Sequence, residues 1–398
     1  MKNSWRAIGI LVLCTFIGYW NMFLLSPLQP FVAFDLGITT GEAAQLTTVS
    51  AGASIISLIA FMLWGSRFPR QNTLFLGMVT LTVGSFLMTL TDNYQLLLAI
   101  RVLNGLSDGV VYPAALVLVS EYLEEKDRAV GVVAILGGTA MAAVIGLPLT
   151  IEVLEPEKWQ EVFRWFTGVS LVGTVVSGVL LPLIPGKNDE GIREGFNAFM
   201  ASPRLRKIAG ANIAGDVAWF GALTFVGSFL VHEYNPSLHQ LALFYFAAGL
   251  AFVVGSFLAT SSDFETQQRL SIVSSIASTV LAPIFFIVAE SFVATLAIAI
   301  VYAFLRAPGI SAMDNMLITA AENTTTRVVS GALSSIVSGI AIFVAAAIGG
   351  VVLDSTAYTT IGLIFGVSAM GSVLMLWKLK EGEGIVIEEN KDLAPTQG

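Results

Sequence analysis

Apolar residues gather along the chain in long blocks, separated by short polar breaks that hold most of the charge. A helix needs about 20 residues to cross a hydrocarbon core of about 30 Å, and the blocks reach that length. Twelve membrane helices are predicted, at 7–31, 43–64, 73–91, 95–119, 129–152, 164–184, 206–231, 238–259, 271–289, 292–318, 328–353 and 358–378. Alternating segments of about ten residues, the mark of a membrane β-barrel, are absent from the sequence. The expected class is an all-α integral membrane protein.

Composition agrees. Of the 398 residues, 55% are hydrophobic and 12% charged, about half the charged fraction of a typical soluble domain. An even number of spans puts both termini on one side. Lys and Arg then choose the side: sixteen fall in segments that would be cytoplasmic, among them Arg67, Arg70, Arg204 and Lys207, against Lys158 and Arg164 outside. This bias predicts cytoplasmic termini. Lys2 and Arg6 open an apolar run without a small-residue cleavage site, so an uncleaved first span is expected. The one cysteine, Cys14, allows no intramolecular disulfide.

The longest internal polar segment, "PGKNDEGIREGFNAFMASPRLRK", divides the chain into a six-helix bundle at 1–186, a cytoplasmic linker at 187–205 and a second bundle at 206–378. The linker reads equally as a plain connection or as a short amphipathic helix on the inner surface. A polar tail, 379–398, is expected to be disordered; it suggests no nucleic-acid partner. The halves are weakly alike, since spans 4 and 10 each carry a mid-block Arg, a downstream Asp and a proline (Pro113, Pro308). Paired halves around a midplane site are a recurrent plan of secondary transporters.

Several stretches carry a family resemblance. "SRFPRQNTLFLG" is similar to an inner-loop motif written D-R-x-G-R-R, "RVLNGLSDG" to a fourth-span R-x-x-Q-G, "GGTAMAAVIGLPL" to a fifth-span G-x-P-L-G motif, and "WQEVF" to a sixth-span W-R-x-x-F. Together they resemble the major facilitator superfamily, in its twelve-span drug:proton antiporter and sugar or metabolite efflux branch. That resemblance implies two pseudo-symmetric six-helix bundles, with spans 1, 4, 7 and 10 lining a central cavity. It also implies a gating and inner-loop role for Arg67, Arg70 and Asp314. Gly105, Gly138, Gly146 and Pro148 fall on its helix-packing motifs. The departures are informative: Ser66 replaces the usual Asp, Met62 the leading Gly, Thr150 the last Gly of the fifth-span motif, and Asn21 the first-span acid of many drug antiporters.

Charges inside a membrane helix cost about 2.5–3.5 kcal/mol each on insertion scales and mark functional sites by default. Arg101 and Asp108 stand seven residues apart, nearly two turns, so they share one face about 10 Å apart along the axis. Gly105 lies between them, leaving room for a partner helix or a solute. Asp216 and Arg306 fall at a depth comparable with Asp108, which predicts one cluster of Asp108, Asp216 and Arg306 across the cavity. Two carboxylates on one guanidinium would leave an acid poorly compensated, free to take a proton on one side and release it on the other. Asp314 is expected nearer the inner surface. Tyr19, Asn21, Trp219 and Phe220 are candidate cavity walls; His232 and His239 flank an outer loop.

The expectation is therefore a secondary active transporter in the cell (inner) membrane, working by alternating access with a small-molecule substrate and protons. The resemblance favours efflux; the cavity arginines and the missing first-span acid leave proton-coupled uptake of an organic solute, such as an anion, as a second reading. The sequence shows no H-E-x-x-H, buried His cluster or Gly-rich phosphate loop, so no enzyme, metal or cofactor is expected. A monomer suffices for such a fold.

Overall fold

A computed structural model describes residues 2–64, 67–182, 192–259, 263–287, 291–320 and 324–379. Ser66, Lys187 and the expected tail beyond 379 lie outside the described residues. Within them every regular element is helical: α1 (Lys2–Leu36), α2 (Thr40–Trp64), α3 (Arg70–Leu87), α4 (Tyr94–Tyr122), α5 (Glu125–Met141) running through a π-helical turn (Ala142–Gly146) into α6 (Leu147–Glu152), α7 (Gln160–Leu180), α8 (Ile192–Ala201), α9 (Pro203–Tyr234), α10 (Leu238–Ser256), α11 (Phe264–Ile287), α12 (Phe292–Thr319), α13 (Thr324–Ser355) and α14 (Tyr358–Trp377). Eleven rods, counting α5–α6 as one, are long and apolar enough to cross a membrane. The exception is α3, where the span at 73–91 was expected. It has 18 residues and opens on Arg70, Gln71, Asn72 and Thr73, so its apolar part is short.

The polar breaks work as caps. Gly37 ends α1 at a φ of +63°, a left-handed position that glycine takes without a Cβ clash. Thr39 and Glu42 then bond each other's backbone N–H across the first turn of α2, at 3.0 and 2.8 Å, a reciprocal cap. Asn93, Ser202, Ser237 and Ser291 each accept an N–H from the first turn of α4, α9, α10 and α12. Backbone groups at helix ends are thus satisfied by side chains of the loops themselves.

Helices α1–α7 enclose one apolar cluster, including Leu11, Ile17, Leu81, Leu118 and Phe166. Helices α9–α14 enclose a second around Phe225, Phe229, Phe286 and Phe365. A third gathers Leu58 and Met62 of α2, Phe199 of α8, Leu205 and Ile208 of α9, Met316 of α12 and Leu376 of α14. It joins the last turn of α2 to the first of α9 and the last of α14, so α1 begins and α14 ends at this same end of the bundle. The linker segment contributes α8, whose buried Phe199 seals the join; of its two readings, the helix is the one observed. Outside, large apolar side chains such as Trp165, Val179, Val293 and Val367 stay more than half exposed. No soluble protein sustains a surface of this kind; this is a multi-pass membrane protein.

Gly105 sits where α4 crosses α2: a Cβ there would collide with the Ser50 carbonyl and the Ala53 methyl. Its space therefore goes to a partner helix. Gly137 of α5 has nothing within 4 Å of the same position. Gly105→Ala should lower stability by about 1–3 kcal/mol, as overpacking does, whereas Gly137→Ala should be neutral or stabilising, since alanine is the better helix former. Thermal unfolding of the two variants in detergent checks the contrast.

Candidate functional site

Arg306 of α12 reaches across to α9. Its Nη2 donates to Asp216 Oδ1 at 2.6 Å with both side chains fully buried, and its Nη1 donates to Ser274 Oγ of α11 at 3.4 Å. Gly215 makes the place: a Cβ there would stand 3.1 Å from Nη2. Ser338 of α13 donates to the other oxygen of Asp216 at 3.3 Å. Two of the three expected members of the charge cluster therefore pair. Asp108 does not join them, and this is a correction to the expected trio. Its Oδ1 accepts from Asn21 Nδ2 at 2.8 Å and its Oδ2 from Ser50 Oγ at 3.5 Å.

Helical phase explains the difference. Seven residues of helix bring Asp108 almost two full turns beyond Arg101, so both face α2. Arg101, fully buried, donates Nε to the Leu46 carbonyl at 3.2 Å, one turn from the Ser50 that touches Asp108. Eight residues separate Arg306 from Asp314, two turns and a further quarter turn or so, which leaves them about 80° apart around the axis. When Arg306 turns toward α9 and α11, Asp314 turns toward the middle. Depth counted along the chain placed Arg306 correctly but said nothing of its bearing.

Asp314, expected near the inner surface, in fact lines the same cavity as Asp108. This cavity, of about 120 Å³, lies between the two sets of helices. One wall holds Thr15, Tyr19, Ser54, Asp108 and Tyr112; the other holds Asp314, Ser334, Ser335 and Ser338. Asp314 Oδ1 accepts from Asn212 Nδ2 at 3.1 Å and from Ser334 Oγ. No Lys, Arg or His is among the lining residues. The cavity is acidic and hydroxylated, and neither Arg101 nor Arg306 lines it.

The remaining candidates divide. Tyr19 lines the cavity and meets Tyr112 edge-on at 5.3 Å. Asn21 is fully buried behind the wall and connects Asp108 to Asn104, which donates to its Oδ1 at 3.4 Å. Phe220 stacks on Phe23 at 5.9 Å, one half against the other. Trp219 turns away and stacks on Phe252 at 5.1 Å within the second half. Arg70 lies buried over the Phe61 ring at 5.5 Å, and Arg67 is exposed. Gly138 packs on α1 at Val12 and Thr15, Gly146 on the Trp20 ring, and Pro148 opens α6. His232 and His239 are exposed, beside Glu233 and Glu152.

Sequence reasoning missed the serines. Ser50, Ser54 and Ser57 recur at helical spacing in α2, and Ser334, Ser335 and Ser338 do so in α13. A polar stripe in an otherwise apolar helix was the signal available.

A helical bundle with a polar cavity walled by two helix sets is the architecture of a solute-handling membrane protein. The chain belongs to the Major Facilitator Superfamily, whose profile matches residues 11–345. It is 27% identical over 254 residues to YfhI of Bacillus subtilis, an uncharacterized MFS-type transporter, covering 63% of each chain. It is 24% identical over 266 residues to a probable sugar efflux transporter of Helicobacter acinonychis, covering 65% of this chain and 67% of that one. It is also 24% identical over 268 residues to the purine ribonucleoside efflux pump NepI of Shigella sonnei, covering 65% of each. The alignments with several of these relatives span just under two thirds of their length. In fold the chain is similar to the crystal structure of a bacterial homolog of the human lysosomal transporter Spinster in an inward-facing, unoccupied conformation, with a TM-score of 0.69 at 15% identity, covering 94% of this chain and 95% of that one.

Arg306→Met alone would leave Asp216 buried without its partner and should destabilise by about 3–5 kcal/mol; replacing both, as Asp216→Leu with Arg306→Met, should recover most of that loss. The melting temperatures of the single and double variants in detergent measure the coupling.

Proposed function

We propose that the protein is a secondary active transporter that exports a small organic solute in exchange for protons, by alternating access of the cavity between Asp108 and Asp314. Twelve spans in two six-helix units, 1–186 and 206–378, move against each other in this reading, with α3 as the third span and both termini cytoplasmic in the cell (inner) membrane. The observation that carries it is the pair of cavity carboxylates, one from each half, with no ion pair to either among the described residues. A cavity carboxylate with no ion pair can take up and release a proton as its surroundings change. Carrying a proton one way and a solute the other then needs only competition for that site. The acidic lining speaks against the second reading, uptake of an anion drawn to Arg101 and Arg306, since both guanidiniums point elsewhere.

The contacts between the halves support movement. At the end away from the termini, Gly41 N–H at the start of α2 donates to Asp354 Oδ1 of α13 at 3.0 Å, and a Cβ on Gly41 would collide with that carboxylate. Ser26 of α1 donates to the Leu223 carbonyl and meets Tyr245 Oη at 2.8 Å, while Ser228 donates to Gln29 at 3.2 Å. This is a latch of hydrogen bonds, and it opens when the halves part at that end. A charge-assisted bond such as Gly41–Asp354 contributes about 1.5–3 kcal/mol.

Two measurements test this reading. In inside-out vesicles, Asp108→Asn should flatten the pH dependence of proton-driven solute transport; an unchanged profile in both Asp108→Asn and Asp314→Asn would sink proton exchange at this cavity. In a Cys14→Ser background, Met22→Cys on the cavity wall should react slowly with an impermeant thiol reagent added outside cells. Adding Asp354→Ala should speed that labelling at least about tenfold, by the energy just given.

A further inference from the structure

We infer that the solute is an organic cation, held between Asp108 of α4 and Asp314 of α12, with the hydroxyls of the cavity as its secondary contacts. The inference rests on the transport reading above and adds the charge of the substrate, on which the family and the similar relatives are silent for this chain.

Four observations converge. Both acids line one cavity, from opposite halves. Among the described residues the hydrogen bonds to each come from neutral donors: Asn21 and Ser50 to Asp108, Asn212 and Ser334 to Asp314. Such donors orient a carboxylate but leave its charge in place. Arg306 is paired with Asp216, and Arg101 gives its Nε to the Leu46 carbonyl and acts on Asp108 through space without a bond to it. The remaining lining residues offer hydroxyl oxygens and the rings of Tyr19 and Tyr112, which meet edge to face. An ammonium centre finds carboxylate, hydroxyl and aromatic partners in one place, and aromatic faces attract cations in their own right. A neutral sugar or nucleoside would bond the acids through its hydroxyls without cancelling their charge; an anion would be repelled by both.

Size sets a second limit. About 120 Å³ admits a compact molecule rather than a large lipophilic drug. Placement of the acids on different halves also gives the cation a mechanical role. A bound ammonium is shared between α4 and α12, so it draws the halves together around itself, and its release lets them part.

Binding to purified full-length protein decides the matter, using 1,4-diaminobutane and choline as cationic probes against glucose, adenosine and lactate, at fixed pH and ionic strength. A ligand that binds the folded state raises the melting temperature. Stabilisation by at least one cationic probe and not by the others is the expected result. The titratable and charged groups facing the pair are Tyr19 and Arg101 around Asp108, and Tyr19, Tyr112, Asp216 and Arg306 around Asp314; the pH is therefore held constant. Asp108→Asn and Asp314→Asn should each weaken cation binding at least about tenfold, the usual loss for a hydrogen bond to a charged group, with Asp108→Glu restoring part of it. Melting of the variants without ligand controls for folding, and the wild-type probe series decides even if one variant fails to fold. Stabilisation by glucose, adenosine or lactate with no response to the cations would overturn the inference. So would cation binding that survives in either Asn variant. Neither result would touch proton-coupled export, which is read from vesicle transport and stands or falls separately.

Discussion

A guanidinium and a carboxylate shut away from water must satisfy each other, and the Asp216–Arg306 pair does so with no exposed surface on either side chain. Most of the site follows from that. Arg306 is given to Asp216 and not to the cavity, where it is absent from the lining. The glycine beside Asp216 and the serine of α11 shape the niche for the guanidinium, and the close packing of α9, α11 and α12 follows from filling it. Ser338 then links this buried pair to the cavity, since it donates to Asp216 and also lines the space in front of Asp314. A static pair behind the wall and an uncompensated acid in it are two consequences of one pairing choice.

The two ends of the bundle are fastened by different physics. At the end away from the termini the halves meet through hydrogen bonds and one carboxylate on a helix start, where aligned peptide dipoles favour negative charge. At the other end they meet through apolar contact, with Met62, Phe199 and Leu205 in one cluster. The family's inner-loop pattern places an acid at this second end, where position 66 carries serine. Methionine and phenylalanine at the join provide a surface that tolerates sliding, because a thioether side chain adapts to changing neighbours. Hydrogen bonds break at defined distances, whereas apolar contacts slip. A rocking motion about the cavity can use both.

Much of this was legible in the chain. Continuous apolar blocks have one physical solution in a membrane, and the asparagine or serine before α4, α9, α10 and α12 declares their caps. The intramembrane charges were equally visible, because so few of them interrupt the apolar runs. What the chain did not show was their bearing around the helix axis relative to neighbours far away in sequence. Asp314 looked peripheral because it lies late in its span, yet the extra quarter turn or so between it and Arg306 brings it to the centre. The serines of α2 and α13 were overlooked for a related reason. Each is ordinary alone, and only the meeting of two such stripes makes a polar wall. Phase within a helix is written in the sequence; the partner across the bundle is not.

The fifth-span motif shows how a departure from a pattern is absorbed. Pro148 has no N–H to give and its ring crowds the carbonyl four residues earlier, so the preceding turn widens into a π-helix, with Leu147 N–H bonded to the Ala142 carbonyl. Such a turn leaves backbone groups poorly matched, and α10 fits against it: a Cβ on Gly249 would come within 2.9 Å of the Ala143 carbonyl. Thr150, where glycine is usual, accepts the Trp20 indole N–H at 2.7 Å and donates to the Gly146 carbonyl at 2.9 Å. The indole ring in turn packs on Gly146. A hydroxyl thus ties α1 to the widened turn at the place where the first half touches the second. π turns are frequent at functional positions because one extra residue lets a helix flex without breaking its ladder. Here the flexible turn, the tryptophan that braces it and the helix of the opposite half that leans on it form one joint. The joint lies on the seam between the halves that the proposed alternating access would move.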